Sequence, residues 1–327
     1  MIDGTEVSLY ALNAIVERVD PLLREIPGVV KAEDPECLHR MRVASRRLRM
    51  SLNLLGARAG LSDASAVKFF RLIRKVTRRL GEARDIDVQL LWLKDFEPQC
   101  TKRELPGVRR IALRLNQKRE KLQPGIVKLV SSLPEDPIFV KTIEDVRIAR
   151  VDAEIAGKNS SQEDQRYATR SLLLQLDTVQ QHALSLEDPE ASEAHHSFRK
   201  EVKHLRYAME IFRGLYGDKL DEHIQTMKKL QGLLGELQDA NIWVDMLPVM
   251  KLLEIDETKR YFGTIRFFFR LQPGYDKLLT YTCDIRALLY TNSFNFCRQS
   301  QCRFLSLKKI ILECVNIERI RDDFERK

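Results

Sequence analysis

The feature that most constrains this chain is that it states one pattern twice. His39-x-x-Arg42-x-x-x-Arg46-Arg47-Leu48-Arg49 returns 157 positions later as His196-x-x-Arg199-x-x-x-Lys203-His204-Leu205-Arg206. Leu80-Gly81-Glu82-Ala83-Arg84-Asp85 returns 154 positions later as Leu234-Gly235-Glu236-Leu237-Gln238-Asp239. The triplets Asp34-Pro35-Glu36 and Asp188-Pro189-Glu190, also 154 apart, precede both. Three matches in one order identify a duplicated unit, with a three-residue insertion before His196. A duplicated sequence folds into two like halves, and 327 residues exceed what one growing core usually holds. The expected organisation is a helical bundle over 1–155 and a second over 166–327. A linker over 152–166 is polar, aperiodic, and carries Gly157, Lys158, Asn159, Ser160 and Ser161.

Both halves read as all-α. Leucine-rich segments with apolar spacings of three and four recur, alternating β-branched runs are scarce, and 14 glycines and 11 prolines leave room for long helices. About ten helices are expected from this periodicity. Asp34 is placed to cap a helix whose first residue, Pro35, has no N–H to lose, and Asp188-Pro189 has the same form. At about 100° per residue, His39, Arg42, Arg46 and Arg49 share one arc of about 80°. Met41, Ala44, Leu48, Leu52 and Leu55 occupy a separate apolar stripe. His196, Arg199, Lys203 and Arg206 repeat the cationic arc, with Lys200 and Tyr207 beside it. A helix over about 62–80 divides Lys68, Arg71, Arg74, Lys75 and Arg78 from Phe69, Leu72, Ile73, Val76 and Leu80.

The charge points to an anionic partner. The net charge is +8, and residues 40–79 hold 12 Lys/Arg against one acid, Asp63. Cations stacked at helical spacing repel one another, and no interleaved acid relieves them. Arginine grips two phosphate oxygens with its planar fork, lysine supplies a mobile point charge, and a histidine near a helix start is a further donor once protonated. A single basic stripe is ordinarily a solvated face; two matched stripes led by the same histidine favour a site. Asp85 and Asp239 read as structural orienters of arginines, or as a helix start, rather than as catalytic carboxylates. The basic segment with Arg110, Arg114 and Lys118 is an additional candidate surface. No apolar run is long enough to span a bilayer and no secretory leader opens the chain, so a cytosolic protein without a membrane partner is expected. The six cysteines form no zinc-ligand or CxxC pattern and are expected to be free thiols, with no metal and no cofactor.

The two histidine-led segments, His39 to Arg49 and His196 to Glu210, together with the paired Leu-Gly-Glu-x-x-Asp segments, resemble the CHAD family, the conserved-histidine α-helical domain. The likeness covers roughly residues 5–315. It implies two bundles related by a pseudo-twofold axis around a shared basic groove that binds inorganic polyphosphate without catalysis, as an accessory module that can associate with polyphosphate or storage granules. Carried over by position, the implied anion ligands are His39, Arg42, Arg46, Arg47 and Arg49 with His196, Arg199, Lys200, Lys203 and Arg206. Of the second half's other basic helix only Lys228 and Lys229 remain, and the segment after about Thr258 is unusually rich in Phe, Tyr and Cys. No Glu-x-Glu-x-Lys signature opens the chain, so the triphosphatase domain fused to some members is not expected. Two rival readings use the same side chains: a nucleic-acid-binding helical protein, and a metal-dependent phosphohydrolase built on the histidines with Asp85 or Asp239.

Overall fold

Apolar residues at spacings of three and four produce helices throughout the computed structural model, which describes residues 7–32, 34–157 and 162–325, with side chains up to Glu313. Among the described residues there are twelve α-helices and no strand. The first half comprises α1 (Leu9–Val16), α2 (Asp20–Arg24), α3 (Ile26–Lys31), α4 (Pro35–Leu55), α5 (Ala64–Phe96), α6 (Leu105–Ser131) and α7 (Pro137–Ile155). The second comprises α8 (Gln162–Ala183), α9 (Ser192–Tyr216), α10 (Asp221–Phe262), α11 (Gln272–Gln299) and α12 (Gln301–Glu325). Short 3-10 turns join several of them.

Capping explains where the central helices begin. Asp34 Oδ1 accepts from the Glu36 N–H at 2.8 Å with Pro35 in the first turn, as the triplet predicts. The second triplet behaves differently. Asp188 accepts from Glu190 N–H at 2.9 Å in a turn, and α9 starts only at Ser192. The three inserted residues are thus absorbed before the helix, which keeps His39 and His196 at equivalent places on α4 and α9.

Two expectations about length are corrected. α5 does not stop near residue 80 but runs 33 residues, and α10 runs 42. The Leu-Gly-Glu segments lie inside these helices, so Asp85 and Asp239 are mid-helix residues and not helix starts. Buried Leu80, Ala83 and Ile86, and Leu234 and Leu237, carry the apolar stripe across each segment and keep the helix going. The linker also shrinks. Residues 152–155 extend α7 and 162–166 open α8, where Arg58 pairs with Asp164 at 2.7 Å and Ser8 Oγ donates to the same carboxylate at 2.7 Å. A carboxylate in the first turn suits the helix dipole, so this polar stretch is helical. Residues 158–161 of the expected linker lie outside the described residues.

The halves share their cores. One large apolar cluster takes Leu48, Phe69 and Phe139 from the first half and Leu172, Phe198 and Phe212 from the second. A smaller one joins Ile86, Phe96 and Ile111 to Trp243, Phe268 and Tyr275. α4 packs on α5 and α9 on α10, and α4 meets α9 across the boundary. Tyr10 donates to Ile211 O and Tyr167 to Leu54 O, adding polar stitches between the halves. Cys37, Cys100, Cys283, Cys297 and Cys302 are free thiols; the Cys314 side chain lies outside those described. No helix among the described residues is long and apolar enough to cross a membrane.

Candidate anion-binding site

The contact between α4 and α9 turns the two cationic arcs toward one cleft of about 1020 Å³. α4 contributes His39, Arg42, Arg46 and Arg49; α9 contributes His196, Arg199, Lys200, Lys203 and His204; α5 adds Arg74, Arg78 and Arg84. Nine arginines and lysines therefore line a space that holds four carboxylates, Glu82, Asp85, Glu236 and Asp239. One end of the cleft is apolar, walled by Val88, Trp92, Ile242, Trp243, Ile285 and Leu289.

The repeated glycines acquire a role here. A Cβ at Gly81 would stand 3.6 Å from Arg42 Nε, and one at Gly235 would stand 3.7 Å from Arg199 Nε. At both positions the arginine of the facing helix lies against the backbone, with room for a Cβ but not for a longer side chain. Arg42 then reaches Asp85 at 3.4 Å. Arg199 feels the field of Asp239 without an ion pair within 4 Å. Asp85 thus pairs with Arg42, while Asp239 acts on Arg199 only through its field, and both carboxylates line the cleft.

Most of the remaining cations have no such partner. Among the described residues Arg46, Arg49, Arg74, Arg199, Lys200 and Lys203 make no salt bridge. Nε of Arg46 and of Arg199, and Nδ1 of His39 and of His196, are buried without a hydrogen-bond partner. The strain shows in the acid–base behaviour. Loss of hydration, followed by Arg199, Arg46 and Arg42, pushes the Lys203 ammonium down to about 7. Burial, with Arg42, Arg206 and Arg199 alongside, pushes Arg46 down to about 10. His39 is pushed down by lost hydration and Arg84, and His196 by lost hydration and Lys200, so neither is held charged by its protein neighbours. Confinement raises the Asp239 carboxyl although part of it meets cleft water, and Arg199 opposes the rise. An external anion would oppose these displacements of Lys203, Arg46, His39 and His196.

Several expected ligands lie elsewhere. Arg47, one residue and about 100° from Arg46, leaves the arc; it lines a different cavity and approaches Glu210 at 3.8 Å. Arg206 is occupied by Gln231 at 2.9 Å and by Glu210. Tyr207 is buried beneath Arg46 and Arg206, whose guanidinium carbons stand 5.5 and 4.2 Å from its ring centre. Arg71 and Lys75 are exposed on α5 outside the cleft, as are Lys228 and Lys229 on α10, the latter over the Phe296 ring. Arg110 and Arg114 are structural: they clamp the buried Glu254 at 2.7 and 2.9 Å. Lys118 is exposed on α6 away from the cleft. Conversely, Arg84, Gln238 and the Trp92–Trp243 wall escaped the sequence reading. Arg84 and Gln238 sit inside the repeated segments, a signal available in the sequence; the tryptophans carry none. Among the described residues no three His, Cys, Asp or Glu side chains gather so as to hold a metal ion.

Comparison with known proteins gives a family and a fold. A family model described as "CHAD domain" matches residues 13–248. No curated protein matches. Among solved structures, the CHAD domain from the plant Ricinus communis is similar over 94% of this chain and 92% of its own, with a TM-score of 0.57 and 19% identity.

Proposed function

The chain belongs to the CHAD domain family, and from that premise and the unpaired cations of the cleft we propose that it binds inorganic polyphosphate, without cleaving it. The observation that carries the reading is the convergence of two duplicated, histidine-led rows on one cleft in which nine cations face four carboxylates. Like charges held together at this density cost the fold stability, and a phosphate chain offers the compensating charge at every residue of its length. Arg46 and Arg199 present buried N–H donors without acceptors, which charge-assisted contacts to phosphate oxygens would satisfy.

Two features favour a bare phosphate polymer over nucleic acid. The one aromatic residue within the basic rows, Tyr207, is buried under arginines, so no ring is free there for a base to stack on. Trp92 and Trp243 are packed on each other with ring centres 5.2 Å apart. Binding without turnover is supported by the charge around the carboxylates: the nine arginines and lysines that share the cleft with them repel a divalent cation. The deciding measurement is competition between long-chain polyphosphate and single- and double-stranded nucleic acid at one salt concentration. Polyphosphate should displace both, and R42A/R46A should weaken its binding at least about tenfold, the loss of two charge-assisted contacts. Undiminished affinity in a folded double variant overturns the site; preference for nucleic acid overturns the ligand; phosphate release with Mg²⁺ or Mn²⁺ overturns the non-catalytic reading.

A further inference from the structure

The turn between α10 and α11 does not belong to the cleft and has a chemistry of its own. α10 ends at Phe262, where Gly263 takes φ +71° and its N–H bonds Lys259 O at 2.9 Å; a 3-10 turn, Arg266–Arg270, leads into α11. Three consecutive phenylalanines in that turn are treated unequally. Phe268 is 3% exposed and packs on Tyr275, ring centres 5.8 Å apart, whereas Phe267 and Phe269 are 57% and 58% exposed. Tyr261 at 83%, Phe262 at 52% and Ile265 at 41% join them. Phe262 lies 4.5 Å from Phe267 and 4.8 Å from Tyr261, so these rings form a cluster on the outside of the molecule.

The turn is also closely packed at its base and positively charged. Beneath it Gly274 and Gly107 let α11 and α6 touch, since a Cβ on Gly107 would stand 2.1 Å from Leu271 O and one on Gly274 2.2 Å from Glu104 O. Lys259, Arg260, Arg266 and Arg270 are exposed and make no salt bridge among the described residues. From Thr258 to Tyr275 there is no Asp or Glu at all. Solvent-facing phenylalanines on an ordered tip, ringed by cations, are what an anionic lipid surface accepts: the rings enter the boundary region and the long cationic side chains reach the headgroups. A base-stacking platform fits less well, because Ile265 offers no π-face and Phe262, Phe267 and Tyr261 already pack on one another.

We propose that the α10–α11 tip, through Phe262, Phe267 and Phe269 with Arg266 and Arg270, seats the protein on the surface of an anionic lipid bilayer. The protein lies on that surface and does not span it, and the cleft plays no part. The test is co-sedimentation of the full chain with vesicles of phosphatidylcholine alone and with about one third phosphatidylserine. The wild type should partition at least about tenfold better to the anionic vesicles, and F262S/F267S/F269S should lose at least about tenfold of that binding while keeping its helical circular dichroism and its polyphosphate affinity. R266Q/R270Q, which removes charge and leaves the rings in place, should lose about tenfold on anionic vesicles only. Sedimentation of the triple variant equal to wild type would assign any lipid binding to the cleft and overturn the proposal. Equal partition of the wild type to both vesicles, or to neither, overturns it as well. So does concentration-dependent self-association of the wild type that the triple variant abolishes, because the tip would then face a second copy.

Discussion

Replacing Lys203 by methionine should make the protein more stable and a worse ligand binder at the same time. The ammonium is held among Arg199, Arg46 and Arg42, and its pKa falls from 10.5 to about 7. A displacement of that size corresponds to about 5 kcal/mol between the two protonation states. Contact with cleft water and the freedom of the arginines to move apart reduce this, so removing the charge is expected to gain about 2 kcal/mol, or about 3 °C in Tm. Methionine nearly matches the volume of lysine and leaves no cavity. The pH dependence identifies the cause. Below pH about 7 both folded and unfolded states carry the proton, and the penalty is complete. Between about 7 and 10.5 the unfolded state keeps a proton that the native state has lost, so wild-type stability rises toward that of Lys203→Met. Urea or thermal melts of both proteins at pH 6 and pH 9 should show a gap that narrows by at least about half. A variant no more stable at pH 6, or a gap that does not change with pH, would refute the view that the cleft holds its cations at a cost to the fold.

Other consequences follow from the same geometry. Polyphosphate binding should weaken between about pH 6 and 8, because Lys203, His39 and His196 are all pushed down by their surroundings and must take up protons to meet the anion. Calorimetry in buffers of different ionisation enthalpy would detect that uptake, and its absence near neutral pH would count against these three groups as ligands. Gly81→Leu or Gly235→Leu should displace Arg42 or Arg199 and cost about tenfold in affinity, while alanine at either position should be tolerated, since its Cβ meets the arginine at ordinary contact distance. Titration of the four variants decides this. Glu254→Gln strips the carboxylate from Arg110 and Arg114 and should cost about 2–3 kcal/mol in chemical denaturation with no change in polyphosphate affinity; a gain in affinity from the freed guanidinium groups would return those arginines to the binding surface.

What the sequence determined by itself was the periodic and the repeated. Apolar spacing specified helices, the duplicated motifs put the same histidine-led row on α4 and on α9, and the wheel positions of His39, Arg42, Arg46 and Arg49 separated a cationic arc from a core stripe, because a helix converts sequence spacing into direction. That arithmetic works within one helix and stops at its ends. Whether Arg206 faces a ligand or Glu210, whether Arg110 and Arg114 are free or clamp Glu254, and whether Asp85 starts a helix or steadies Arg42 all depend on which side chain another helix brings alongside. Only the tertiary contact of α4 with α9 turned two rows of charge into one cleft, and there partial loss of hydration and adjacent like charges push Lys203 and the two histidines down.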